Sequence, residues 1–87
     1  MNGQTPPRFG KGVKLRRDAD GTAMLLVPEG ALVLNDVATE ALALVDGTRS
    51  FDQIVDDVVE RFEVSPERAR EDVQSLFGRL TERGFLQ

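Results

Sequence analysis

Asp72 and Arg79 stand seven residues apart, a carboxylate and a guanidinium two turns along one helical face. At that spacing each can touch a different part of an extended ligand and fix its register, as backbone hydrogen bonds alone do not. Asp52, Asp56, Glu60 and Glu63 form a second set, a carboxylate stripe that either docks a basic partner or is a solvated face. Catalytic sets are harder to assemble. The chain has 15 Asp and Glu but no His, Cys, Trp or Tyr. Without imidazole or thiol, Ser–His and Cys–His nucleophile pairs are impossible and a transition-metal site has no usual ligands. Paired carboxylates remain, yet 87 residues make a core too small to enclose the dry cleft that would raise a carboxylate's pKa. The residues therefore describe a binding protein, with no catalytic residues, no metal and no cofactor.

The elements that would carry these side chains are read from local signals. Residues 1–12 hold Pro6, Pro7, Gly10 and Gly12 and predict a flexible arm, leaving 13–87 as one domain. Val13 and Leu15 alternate with Lys14 and Arg16, as in a half-buried strand. Asp18-Ala19-Asp20-Gly21 is hairpin turn chemistry, Ala23 to Val27 a second strand, Pro28-Glu29-Gly30 a turn and Ala31 to Leu34 a third strand. Three helices follow. Asn35 caps one from Asp36 to Val45, Ser50 with Gln53 makes a capping box for the second, and Ser65-Pro66 opens the third, which runs to Arg83. Phe85 and Leu86 are too apolar for a free tail and should fold onto the core. The order is βββααα, an α+β fold in which a three-stranded antiparallel sheet packs on three helices.

Ala31, Leu32, Val33 and Leu34 are apolar on both alternating faces, with none of the charges that usually block a sheet edge. Either an extended peptide pairs with that edge by strand addition, or another segment of the chain covers it. Charge is unevenly spread: residues 1–17 carry five bases and no acid, and the remainder carries six bases against 15 acids. The arm is thus either a grip for an acidic partner or a plain tail. The third helix mixes Arg68, Arg70, Arg79 and Arg83 with Glu67, Glu71, Asp72 and Glu82, so its charges nearly cancel. That balance suits i,i+3 and i,i+4 pairs such as Glu67–Arg70 and Arg68–Asp72 better than a phosphate backbone, and no nucleic acid is expected. No apolar run spans a membrane, and the absence of cysteine fits a cytoplasmic protein. Exposed edges let two chains pair, so a monomer with a dimer at high concentration is the expected state.

Taken in order, Pro7-Arg8, Leu25-Leu26-Val27-Pro28-Glu29-Gly30, Leu34-Asn35, Val45-Asp46-Gly47, Ile54, Asp72-Val73, Leu76, Leu80 and Arg83-Gly84-Phe85-Leu86 resemble the PqqD family. These are peptide chaperones of pyrroloquinoline quinone biosynthesis, within the wider class of recognition elements for leader peptides of ribosomally made, modified peptides. The resemblance implies a winged-helix-like fold. It also implies binding of a precursor peptide, which supplies a Glu and a Tyr to the cofactor, and its presentation to a radical SAM enzyme. It further places the peptide between Ala31–Leu34 and the side of the third helix bearing Asp72, Ser75, Leu76 and Arg79. One departure is Val27, where many relatives carry an aromatic residue. Two other classes compete with this reading: a winged-helix nucleic-acid binder, and a purely structural subunit of a larger enzyme.

Overall fold

The alternating segment after Val13 becomes β1 (Lys14–Arg17), and the two apolar runs become β2 (Ala23–Val27) and β3 (Gly30–Leu34). The structure is a computed structural model that describes residues 5–87. The strands form an antiparallel sheet in the order β1-β2-β3, so β1 and β3 are its edges. Between β1 and β2 the Asp18 N–H donates to the Thr22 carbonyl at 2.8 Å, and the Asp20 carboxylate accepts from the Thr22 N–H at 2.9 Å. Gly21 takes φ 91° there, a conformation that an L side chain would strain. Pro28 and Glu29 alone separate the Val27–Gly30 pair that closes the second hairpin.

Three capped helices follow. In α1 (Asp36–Ala43) the Asn35 side chain accepts from the Ala38 N–H at 2.8 Å. The capping box of α2 (Phe51–Phe62) is complete, with Ser50 and Gln53 each bonding the other's backbone. The Ser65 hydroxyl caps α3 (Pro66–Glu82), with proline where the missing N–H costs nothing. The first helix stops at Ala43, two residues before the expected Val45. Leu44 and Val45 instead donate to the carbonyls three residues back, tightening the last turn into the Asp46 loop. In that loop the Asp46 carboxylate accepts from the Thr48 N–H, the Arg49 N–H, the Thr48 hydroxyl and the Arg49 guanidinium. These bonds, the Thr48 N–H foremost, hold its pKa down at about 2.

The helices pack on one face of the sheet around Leu25, Leu42, Ile54, Val58, Val73 and Phe77. Phe77 is fully buried and meets Phe51 edge to face, with ring centroids 6.0 Å apart. Phe85 and Leu86 are buried, as their apolarity required. Their partner was not foreseen. Residues 7–10, read as part of a flexible arm, lie along this C-terminal segment: Arg8 and Gln87 exchange backbone hydrogen bonds at 3.0 and 2.8 Å, and the Gly10 N–H donates to the Phe85 carbonyl at 2.8 Å. Phe9 and Leu86 form the bridge between them. The Pro6-Pro7 pair that argues against regular structure also favours extended backbone, which is what such pairing needs. Gly10 then permits the close approach, since a Cβ there would stand 2.2 Å from the Gly84 carbonyl oxygen. The first four positions of the expected arm lie outside the described residues.

Candidate functional site

Antiparallel ladders alternate between pairs that exchange hydrogen bonds and pairs that do not. The Asp18–Thr22 bond sets the phase for β1 and β2, so Arg16–Met24 and Lys14–Leu26 are bonded pairs. Met24 and Leu26 then turn their backbone groups to β1, and Ala23, Leu25 and Val27 turn theirs to β3. Their opposites, Leu34, Leu32 and Gly30, complete that ladder. Ala31 and Val33 are left over. Their N–H and C=O groups point away from the sheet along an edge that no described strand covers. Val33 is 79% exposed, the one large hydrophobic residue so exposed among those described.

Beside this edge runs a groove of about 450 Å³ between β3 and the C-terminal half of α3. Leu32, Val33 and Leu34 form one wall, and Leu76, Arg79, Leu80, Glu82 and Arg83 the other. A second hollow continues from it, with Leu76 and Arg79 common to both, and runs between α3 and the start of α1. Asp72 and Ser75 lie there, facing Asn35, Val37, Ala38 and Ala41. Of the residues singled out in the sequence, Leu32, Val33, Leu34, Leu76 and Arg79 thus meet in one groove. Asp72 and Ser75 sit in the adjoining one. Ala31 lines neither and contributes backbone on the open edge.

Sequence reading missed Leu80, Glu82 and Arg83 as groove residues, and the α1 wall entirely. Leu80 belongs to the core and is 4% exposed, yet it still lines the groove. Arg83 lies four residues beyond Arg79 and seven beyond Leu76, so helical periodicity alone would have placed it on the same face. The rims are charged and lightly tied. The Arg68 guanidinium holds Asp72 at 3.2 Å in an exposed pair, and the Arg79 Nε reaches the Ser75 carbonyl at a long 3.4 Å. Arg70 bonds Asp52 across to α2 at 2.7 Å and lies over the Phe51 ring, where the local pair with Glu67 had been expected. Asp52, Asp56, Glu60 and Glu63 are exposed on α2 and line neither groove.

Among the described residues no three His, Cys, Asp or Glu gather as a metal site, and no helix is long and apolar enough to cross a membrane. No described polar side chain is buried. The site's chemistry is therefore that of an open backbone edge, an aliphatic groove and charged rims, which together can hold an extended chain.

Comparison with known proteins follows the same line. The family described as Coenzyme PQQ synthesis protein D (PqqD) matches residues 22–86. A PqqA binding protein of Rhizobium meliloti (strain 1021) is 32% identical over 88 residues, spanning 100% of this chain and 90% of its own length. Another, from Rahnella aquatilis, is 38% identical over 74 residues, 82% of this chain and 75% of its own length. A solution NMR structure of the PqqD truncation of Methylobacterium extorquens PqqCD, described as a functional and stand-alone RiPP recognition element, superposes with a TM-score of 0.81. It is 30% identical and covers 100% of this chain and 94% of that one.

Proposed function

The chain belongs to the PqqD family, and we propose on that premise that it binds the PqqA precursor peptide and presents it, without chemistry of its own, to the radical SAM enzyme of the pathway. The carrying observation is the outward backbone of Ala31 and Val33 on an unpaired edge, beside an aliphatic groove. An extended peptide adds to β3 as a fourth strand and bonds those two residues. Its alternate side chains then enter the groove against Leu32, Leu34, Leu76 and Leu80. Arg79 and Arg83 attract carboxylates of the peptide from the helix side, and Glu82 discriminates against a second acid close by. The work takes place in the cytoplasm, where a ribosomal peptide is made. Arg68 and Arg70 are already engaged with Asp72 and Asp52, which supports a peptide over a nucleic-acid ligand.

Val33→Pro tests the reading with one atom group. Proline removes an N–H that faces outward, so the β2–β3 ladder keeps its bonds while the edge loses a donor. Circular dichroism should stay native and calorimetric titration with PqqA, enzyme absent, should show binding weakened by about tenfold or more. Unchanged affinity in a folded variant would move the peptide off β3. Amide shift mapping gives a second view: changes should fall in Ala31 to Leu34 and in the Leu76 to Arg83 stretch of α3.

A further inference from the structure

Helices cover only one face of the sheet. On that face lie Ala23, Leu25 and Val27 of β2 with Leu32 and Leu34 of β3. The strand register lines up the opposite face in two rows, Lys14–Leu26–Ala31 and Arg16–Met24–Val33. Each row reads basic, apolar, apolar from β1 to β3. Met24 and Leu26 are half-buried, Ala31 and Val33 exposed, and none of the four belongs to the core or packs against it. Arg16 contacts the Asp18 carboxylate at 2.9 Å in an exposed pair of little worth, and Lys14 is exposed beside it. No described segment covers this face.

Four side chains are far too few for a stable interface, which buries about 1,600 Å² in total. Strand addition enlarges the patch. A peptide strand on β3 alternates like any other, so half of its side chains emerge on this same face, one column beyond Ala31 and Val33. The bound peptide and the bare sheet then form one continuous surface, apolar in the middle and basic at the β1 end. We propose that this composite face is where the enzyme that acts on the peptide docks. The inference rests on the strand-addition reading above. It requires a partner surface with an apolar centre and carboxylates at the side that meets Lys14 and Arg16. A second copy of this chain fits poorly. The only carboxylate stripe among its described residues, on α2, turns its apolar side inward through Phe51, Ile54, Val55 and Val58.

Met24→Thr with Leu26→Thr tests the centre, and Lys14→Glu tests the rim. Threonine keeps strand propensity while removing the apolar surface. Met24 and Leu26 stand beside Val33 and Ala31, but their backbone groups bond β1, so the outward donors and acceptors of the β3 edge keep their places. In the full chain, calorimetry with PqqA should give unaltered peptide affinity for both variants. Surface plasmon resonance of the peptide-loaded chain on the immobilised radical SAM enzyme should show the double variant about tenfold weaker, as when a contact centre is removed. Lys14→Glu should bind more slowly and lose part of the salt dependence. Enzyme association at the unaltered level in both variants would overturn the inference. So would a loss seen only when Asp56 and Glu60 are changed to Lys, which would assign docking to α2, or an effect of the double variant on self-association alone. If the unaltered chain takes up no PqqA, the peptide reading itself has failed, and that is seen before any variant is made.

Discussion

Single side chains in this chain divide into those that fix loops and those left free for a ligand, and their partners tell them apart. Asp46 accepts four hydrogen bonds, and its pKa falls from 3.8 to about 2. The folded state therefore binds that proton less readily than the unfolded one, and the carboxylate's contribution is fully present above pH 3.8. It is lost as pH falls through about 2. Asp46→Ala should accordingly melt lower than the parent at pH 7. The gap should close between about pH 4 and pH 2, read by thermal scans across that range. A gap independent of pH would assign the loss to loop packing instead. Asp72 and Arg79 behave differently, for their ties are exposed and long. Replacing either with alanine should barely move the melting temperature, because an exposed pair is worth about 0–1 kcal/mol. Arg79 stands where the two hollows join, so Arg79→Ala should weaken PqqA by roughly tenfold, about 1.4 kcal/mol. Asp72 lines only the α1 side, so Asp72→Ala should matter only for peptides long enough to pass β3. Equal losses with a peptide trimmed to the β3 contact would mean the chain enters from the other end.

At the scale of elements, what was legible in the sequence is what local chemistry decides. The caps Asn35, Ser50 and Ser65 each need only a backbone N–H two or three residues on, and all three appear as read. The hairpin turns likewise follow from Gly21 and from Pro28-Glu29. Half of the groove was named in advance because the family resemblance sets β3 against the third helix, and periodicity adds only that Leu32 shares a face with Leu34 and Leu76 with Arg79. The α1 wall was not, since nothing in Val37 or Ala41 says which helix it will face. The clip between residues 7–10 and the C-terminus was hidden for a sharper reason: it is made of backbone bonds between segments at opposite ends of the chain, which leave no side-chain pattern. Only Gly10 marks it. Gly10→Ala would force a methyl into the Gly84 carbonyl, and relief requires the two segments to part. Overpacking of this kind costs about 1–3 kcal/mol. Amide exchange should speed up at Arg8, Gly10 and Gln87, with Phe85 and Leu86 becoming accessible, while β3 keeps its protection. Loss of protection throughout the sheet would show that the clip is part of the core and not a separable clasp.

Over the whole molecule, the sheet has two edges with different fates. β1 carries Lys14, Arg16 and Arg17, charges that discourage a neighbour, whereas β3 carries none. Any self-association in the free chain should therefore run through β3, joining two sheets edge to edge. The peptide would use the same N–H and C=O groups of Ala31 and Val33, so dimer and complex exclude each other. Linkage then fixes the behaviour: saturating PqqA must dissociate the dimer, and the apparent dissociation constant for PqqA must rise with chain concentration. Sedimentation equilibrium with and without PqqA reads the first, and calorimetry at several chain concentrations reads the second. Val33→Pro should abolish the dimer and weaken the peptide together, because both need one outward donor. Val27 faces the core side of the sheet, so its substitution should change stability and leave this competition intact. A dimer that persists at saturating peptide would have to be built on a surface other than the β3 edge, and Val33→Pro would then leave it intact while still weakening the peptide.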